Sequence, residues 1–241
     1  MRFILLASIA SLFLMASEHK VNWGYKGDIA PKYWGDLDKS FFMCKKGANQ
    51  SPVNLNRFIE AKEQPLELNY KSNVDSVVNN GHTIEVKTSG SDYIVVDGKK
   101  FYLKQFHFHT PSENKINGKS FPMEAHFVHQ SKDGEYLVLA IMFNKGSKNP
   151  ILDKILGSLN SNVNSESKIK DSFTPKELLA KELDYFRYDG SFTTPPCTEG
   201  VRWIVLKEPV SVSAKQIESF HKVMGKNNRP TQPLHARVIL K

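Results

Sequence analysis

Gln105-Phe106-His107-Phe108-His109 alternates aromatic and imidazole side chains with a period of two. That is the period of a β-strand, in which successive residues point to opposite faces of a sheet. His107 and His109 therefore share one face, while Phe106 and Phe108 anchor the other in a core. A second run, Glu124-Ala125-His126-Phe127-Val128-His129, has the same character and offers His126 as a third ligand. Three neutral imidazoles leave a tetrahedral zinc ion one open position for water, the arrangement of catalytic rather than structural zinc. Gln105 lies two residues before His107, and Glu124 two before His126, each on its histidine's face and placed to orient the second ring nitrogen. His109 needs such a partner from elsewhere in the chain. His129, three residues after His126, faces away from the metal and is structural. A His-x-His pair on a strand is as often two satisfied histidines as a metal site; the downstream Glu-x-His strengthens the metal reading.

Around this stretch the strand-like segments dominate. Residues 74–79 and 83–87 flank Asn80-Gly81, and 93–96 and 100–103 flank Asp97-Gly98, both of them hairpin signals. Residues 103–109, 123–129, 136–143 and 201–206 add further β-rich runs. Helical spacing is confined to 151–159 after Asn149-Pro150, 176–183 after Thr174-Pro175, and 214–224 after Ser213, each with an N-cap residue or a first-turn proline. The fold class expected is mainly β with short peripheral helices: a large central, mostly antiparallel, twisted sheet.

The chain has 241 residues, enough to bury a substantial core, and its 40% hydrophobic and 24% charged content is that of a globular protein rather than a disordered one. Residues 1–17 differ from the rest. Arg2 is their only charge, a short apolar run follows, and Ala16 and Ser17 precede polar Glu18, which reads as a secretory signal peptide with an approximate cut site. Residues 18–241 then form one domain with no stable membrane span, and export to the periplasm or beyond is expected. Removing Arg2 lowers the net charge from +8 to +7. The lysines are scattered and carry no aromatic platform, so a solvated basic surface is favoured over a nucleic-acid partner. Cys44 and Cys197, an even count in an exported chain, favour one disulfide closing a loop of roughly 150 residues, with two buried thiols as the alternative.

Matching blocks run in one order through nearly the whole mature chain. They are Asn22-Trp23-Gly24-Tyr25, Asn49-Gln50-Ser51-Pro52-Val53, Asn79-Asn80-Gly81-His82, the stretch Gln105 to His109, Pro111-Ser112-Glu113, and Glu124 to His129. They continue through Gly190-Ser191-Phe192-Thr193-Thr194-Pro195-Pro196, Val201-Arg202-Trp203-Ile204-Val205 and Asn228-Arg229-Pro230. In these the sequence resembles the α-class carbonic anhydrases, above all their exported bacterial members.

The resemblance implies zinc-dependent, reversible hydration of carbon dioxide to bicarbonate and a proton, by attack of a zinc-bound hydroxide. It implies His107, His109 and His126 as zinc ligands, Thr193 as the gatekeeper threonine and Glu113 as the buried glutamate that accepts its proton. An ionised carboxylate only accepts, so the Thr193 hydroxyl must donate to it and is left as an acceptor toward the metal. Thr194 matches a residue that helps hold bicarbonate, and His82 the proton shuttle, an imidazole whose ordinary pKa suits transfer near neutrality. Val128, Val138, Phe192, Val201 and Trp203 match the apolar pocket, with Phe192 replacing the usual leucine; plain core packing is their bland alternative. Tyr25, Asn80 and Glu85 match the solvent network, with Glu85 replacing an amide. Cys44 and Cys197 match the disulfide of exported members. Thr110 and Asn114 also depart from common family residues without touching the ligand set, and His19, His221 and His235 receive no role. Sulfonamides and simple anions are expected inhibitors, a homodimer is allowed, and ester hydrolysis is expected only as a side activity. A non-catalytic relative is disfavoured because all three histidines, Thr193 and Glu113 are present.

Overall fold

The computed structural model describes residues 21–241; the signal peptide read at residues 1–17 lies outside the described residues. Ten strands cross one sheet in the order Ser165–Lys168, Ser76–Asn79, Ile84–Lys87, Lys99–His109, Met123–Ser131, Tyr136–Lys145, Glu199–Leu206, Tyr185–Ser191, Ile239–Leu240, Phe58–Ile59. Glu67–Asn69, Tyr93–Val96 and Val210–Val212 attach beside this path. Most neighbours are antiparallel, as expected. The sheet is nonetheless mixed, because Tyr136–Lys145 runs parallel to Glu199–Leu206 and Val210–Val212, and Ile239–Leu240 runs parallel to Phe58–Ile59.

Strand Lys99–His109 shifts register against Met123–Ser131 between Leu103 and Gln105, leaving Lys104 exposed. This bulge changes the phase of the alternation. Phe101 and Leu103 before it and Phe106 and Phe108 after it all enter the same core, which an unbroken period of two forbids. Phe106 stacks on Phe127 of the next strand with ring centroids 4.6 Å apart. Leu137, Leu139, Ile141 and Phe143 continue this face, and helices Pro150–Ser158 and Ala214–Met224 cover it through Ile151, Leu152, Ile155 and Phe220. Removing one such buried aromatic ring costs about 3–5 kcal/mol. A second cluster, with Val128, Val138, Ala140, Val201, Trp203 and Val205, lies on the opposite face, beside the histidines.

The Asp97-Gly98 hairpin is as read, with φ 53° and 73° at its two central residues. At Asn80-Gly81 the turn falls one residue later. Asn80 N–H donates to Thr83 O, so Gly81 (φ 87°) and His82 are the tip, while the Asn80 side chain accepts from the His82 and Thr83 N–H groups. Only the first central residue needs positive φ there, which places a glycine under His82. The helices at 150–158 and 214–224 form with Asn149 and Ser213 as caps. The third expected helix is a single 3-10 turn, Pro175–Leu178. Leu179 becomes extended, and Leu178, Leu179 and Leu183 all pack against the first core.

His129 is buried in that core, as its odd spacing required. Its Nδ1 faces the Leu137 carbonyl at 3.3 Å, which fixes the proton there, and its Nε2 accepts from Tyr70 O–H at 2.5 Å. Burial pushes its pKa down to about 3. Between pH 6.5 and 3 the unfolded chain therefore binds a proton here that the folded chain refuses, so stability falls as pH falls. Urea unfolding at pH 7 and pH 4.5 should show about 2–3 kcal/mol less pH-dependent loss for His129→Gln than for the wild type. Identical pH slopes would remove His129 from the acid limb.

Candidate metal centre and its cleft

His107 and His126 are direct cross-strand partners, as are His109 and Glu124, so the sheet register brings the three imidazoles together. One ring nitrogen from each lies within 4.8 Å of the others. The remaining nitrogens meet three acceptors. His107 Nδ1 lies 2.9 Å from Gln105 Oε1, His109 Nδ1 2.8 Å from the Asn227 carbonyl oxygen, and His126 Nε2 2.9 Å from Glu124 Oε1. For His107 and His109 the outer nitrogen therefore carries the hydrogen and the inner one a lone pair, and the carboxylate beside His126 Nε2 favours the same tautomer there although that contact is poorly aligned for a hydrogen bond. Burial and the neighbouring rings hold His107 well below the ordinary imidazole range, and burial lowers His109 against the pull of the Asn227 carbonyl and Glu124. His109 Nε2 is buried with no hydrogen-bond partner among the described residues. Three converging lone pairs, one of them orphaned, fit a borderline divalent cation such as zinc.

Glu124 is a saturated carboxylate. Its Oε1 takes Asn114 Nδ2 at 2.8 Å as well as His126, and its Oε2 takes the N–H groups of Glu113 and Asn114 at 2.6 and 2.9 Å. Burial alone would raise its pKa, but His126 and Asn114 outweigh burial and hold it below the carboxylate range. Glu113, fully buried, lies 3.5 Å from His109 Nε2. Its Oε1 accepts from Arg229 N–H at 2.7 Å and the Thr193 side chain hydrogen-bonds the same carboxyl group. Burial pushes Glu113 up to about 7 against these partners and His126.

A cleft of about 130 Å³ opens over the histidines, lined among others by Trp23, Tyr25, Asn80, His82, Glu85 and Thr194. His82 stacks on Trp23 with centroids 3.8 Å apart and planes within 4°. Asn80 Nδ2 reaches Glu85 Oε2 at 3.4 Å, and burial raises the Glu85 carboxyl. Burial likewise raises the Tyr25 phenol, with Glu113 adding and Arg229 opposing. Val128, Val138, Val201 and Trp203 are packed rather than open, and Trp203 meets His126 edge-on at 4.9 Å. Phe192 is half-buried and packs on Tyr136, centroids 4.8 Å apart.

Residues 29–241 match the model of the eukaryotic-type carbonic anhydrases. The chain belongs to the α-carbonic anhydrase family. It is an enzyme, and its reaction is the reversible hydration of carbon dioxide. A carbonic anhydrase of Pectobacterium atrosepticum is 42% identical over 99% of this chain and 98% of its own. One of Neisseria gonorrhoeae is 43% identical over 98% and 94%. The α-carbonic anhydrase of Thermovibrio ammonificans, solved with the inhibitor sulfanilamide, superposes with a TM-score of 0.90 at 51% identity, covering 92% of this chain and 99% of that one.

For a carbonic anhydrase, three neighbours of the site escaped the reading of motifs. Asn227 supplies the acceptor that His109 lacked, and its side chain donates to the His82 and Phe108 carbonyls at 3.0 and 2.9 Å. Asn114 holds Glu124 directly. Trp23 sits under His82. Only position in space connects them to the histidines, although Asn114, Trp23 and Arg229 all fall in or beside quoted motifs. His221 Nδ1 approaches Thr110 Oγ1 at 3.3 Å, and His235 lies in another groove. Cys44 and Cys197 are joined, with Cα atoms 5.0 Å apart and a sequence separation of 153, which settles the disulfide over two free thiols.

Two measurements check this arrangement. Glu124→Gln should weaken zinc binding by about 10- to 100-fold in a chelator competition, with the fold retained. Reducing the disulfide should lower the free energy of unfolding by about 2–4 kcal/mol. An unchanged zinc affinity, or an unchanged urea midpoint after reduction, would contradict the corresponding assignment.

Proposed function

We propose that His107 Nε2, His109 Nε2 and His126 Nδ1 hold one zinc ion, and that this chain hydrates carbon dioxide there. The observation that carries the reading is the trio of acceptors behind the rings, which turns three lone pairs toward a single point. Zinc bound by three imidazoles supplies a coordinated water with a pKa near 7, a value known from carbonic anhydrases themselves.

The residues around it have separable tasks. Positive charge at the imidazole cluster favours the ionised form of Glu113. The Thr193 hydroxyl then commits its hydrogen to Glu113 and offers only a lone pair to the cleft, so it selects and aligns an O–H donor there. Thr194 supplies a second hydroxyl for the bicarbonate oxygens. Val128, Val138, Phe192, Val201 and Trp203 keep the carbon dioxide side of the site dry. His82 accepts the released proton and passes it to buffer, aided by solvent ordered on Tyr25, Asn80 and Glu85. Gln105 and Glu124 fix the ligand tautomers. Residues 18–241 act as one exported domain: the signal-like residues 1–17 and the disulfide both suit an oxidising compartment. Sulfanilamide on the Thermovibrio relative supports sulfonamide inhibition here. Activated esters are slow alternative substrates of the same site.

Stopped-flow carbon dioxide hydration tests the reading. Activity should vanish on chelation and return with zinc; chelator-resistant activity would sink it. His82→Ala should slow turnover in dilute buffer by about tenfold or more, with partial recovery on adding imidazole. Unchanged turnover in dilute buffer would make His82 a bystander.

A further inference from the structure

Arg229 lies outside the cleft lining, yet it touches both halves of the apparatus that holds Thr193. Its main-chain N–H donates to Glu113 Oε1 at 2.7 Å, and the Thr193 side chain hydrogen-bonds the same carboxyl group. Its guanidinium is buried, only 2% exposed, and binds three acceptors: Gln50 Oε1 at 2.9 Å, the Ser51 carbonyl at 2.7 Å and the Cys44 carbonyl at 3.0 Å. Each acceptor leads back to the Thr193 loop. Gln50 Nε2 donates to the Cys197 carbonyl at 3.0 Å and to Glu199 Oε1 at 3.0 Å. Ser51 N–H donates to Ser191 Oγ at 2.9 Å. Cys44 is bonded to Cys197 through sulfur, and Cys197 N–H closes a turn onto the Thr194 carbonyl at 2.8 Å.

These contacts make a closed circuit running Glu113, Arg229, Gln50 and Cys44, Cys197, Thr194, its chain neighbour Thr193, and back to Glu113. We propose that Arg229 is a positioning residue for the Glu113–Thr193 pair, setting the carboxylate by its main chain and the threonine loop by its side chain. Because one residue grips both partners, a displacement of either is transmitted to the other. The fork geometry matters: three acceptors in different directions suit the planar five-donor guanidinium, and a lysine ammonium on a single point cannot reach them all. The Trp34 ring, 5.7 Å from the guanidinium carbon, closes the site from the other side. The disulfide and the guanidinium are then two fastenings of one loop, and loss of either should sensitise the enzyme to loss of the other. This inference rests on the catalytic reading of Thr193, and its first readout does not.

That readout is hydrogen exchange on the metal-free protein. In Arg229→Lys the Phe192 and Cys197 amides, which close onto Thr198 and Thr194, should exchange about tenfold faster or more, while the Leu139 and Ile141 amides of the central sheet stay unchanged. The second readout is a double-mutant cycle on zinc-loaded enzyme. Arg229→Lys should lower kcat by about 10- to 100-fold in the wild type and by far less when Thr193 is already alanine. Exchange that is unaltered in the loop, or that rises equally in the central sheet, would overturn the proposal, as would an equal kcat penalty in both backgrounds. Failure of the zinc assignment alone would abolish the second readout and leave the first intact. Should Arg229→Lys not fold, Gln50→Ala serves, since it leaves the guanidinium two acceptors and frees the Cys197 carbonyl; the same loop-confined exchange is expected.

Discussion

The register between strands Lys99–His109 and Met123–Ser131 governs both faces of this protein at once. On one face it sets His107 opposite His126; on the other it stacks Phe106 on Phe127. Because successive side chains alternate, a slip of one residue would carry the imidazoles into the apolar core and the phenyl rings into the cleft. The cost of burying three aromatic-sized polar rings without partners, added to the loss of ring packing, excludes that alternative. The hydrophobic effect therefore fixes the metal site indirectly: the core side holds the strands in register, and the functional side inherits the geometry.

That inheritance brings a burden, because the site buries ionisable groups that water would otherwise stabilise. Glu124 meets it with two amide N–H groups, the Asn114 side chain and His126, and stays ionised. Glu113 has fewer partners and is pushed up to about 7. The two carboxylates belong to the same network, since Glu113 N–H is itself a donor to Glu124. Their different environments give them different tasks: one is locked as an acceptor for a ring nitrogen, and the other is sensitive to charge in the cleft.

The outer layer is aromatic. Trp23, Tyr25 and Trp34 pack edge to face, with Trp34 Nε1 donating to the Gly24 and Ile29 carbonyls. This layer has Trp34 near Arg229 on one side and Trp23 against His82 on the other. A segment with little regular structure of its own is thus held by its side chains and forms one wall of the cleft.

Local periodicity and chemistry determined much of this. The alternation in 105–109, the Glu-x-His at 124–126 and the even cysteine count were sufficient for the strands, for three histidines on one face with Gln105 and Glu124 beside two of them, and for the disulfide, because each depends on neighbours in sequence or on a count. Where the tertiary structure decided, the partners were remote. The Lys104 bulge answers to packing against Met123–Ser131, whereas the turn at Gly81-His82 is a local exception, set by the Asn80 side chain accepting from the His82 and Thr83 N–H groups. The acceptor for His109 comes from Asn227, more than a hundred residues away, and Arg229 gathers Glu113, Gln50 and Cys44 from three separate segments. A chain can announce which groups it wishes to aim, since spacing sets their face. What they are aimed at depends on where the folded backbone leaves a buried donor or acceptor to be satisfied.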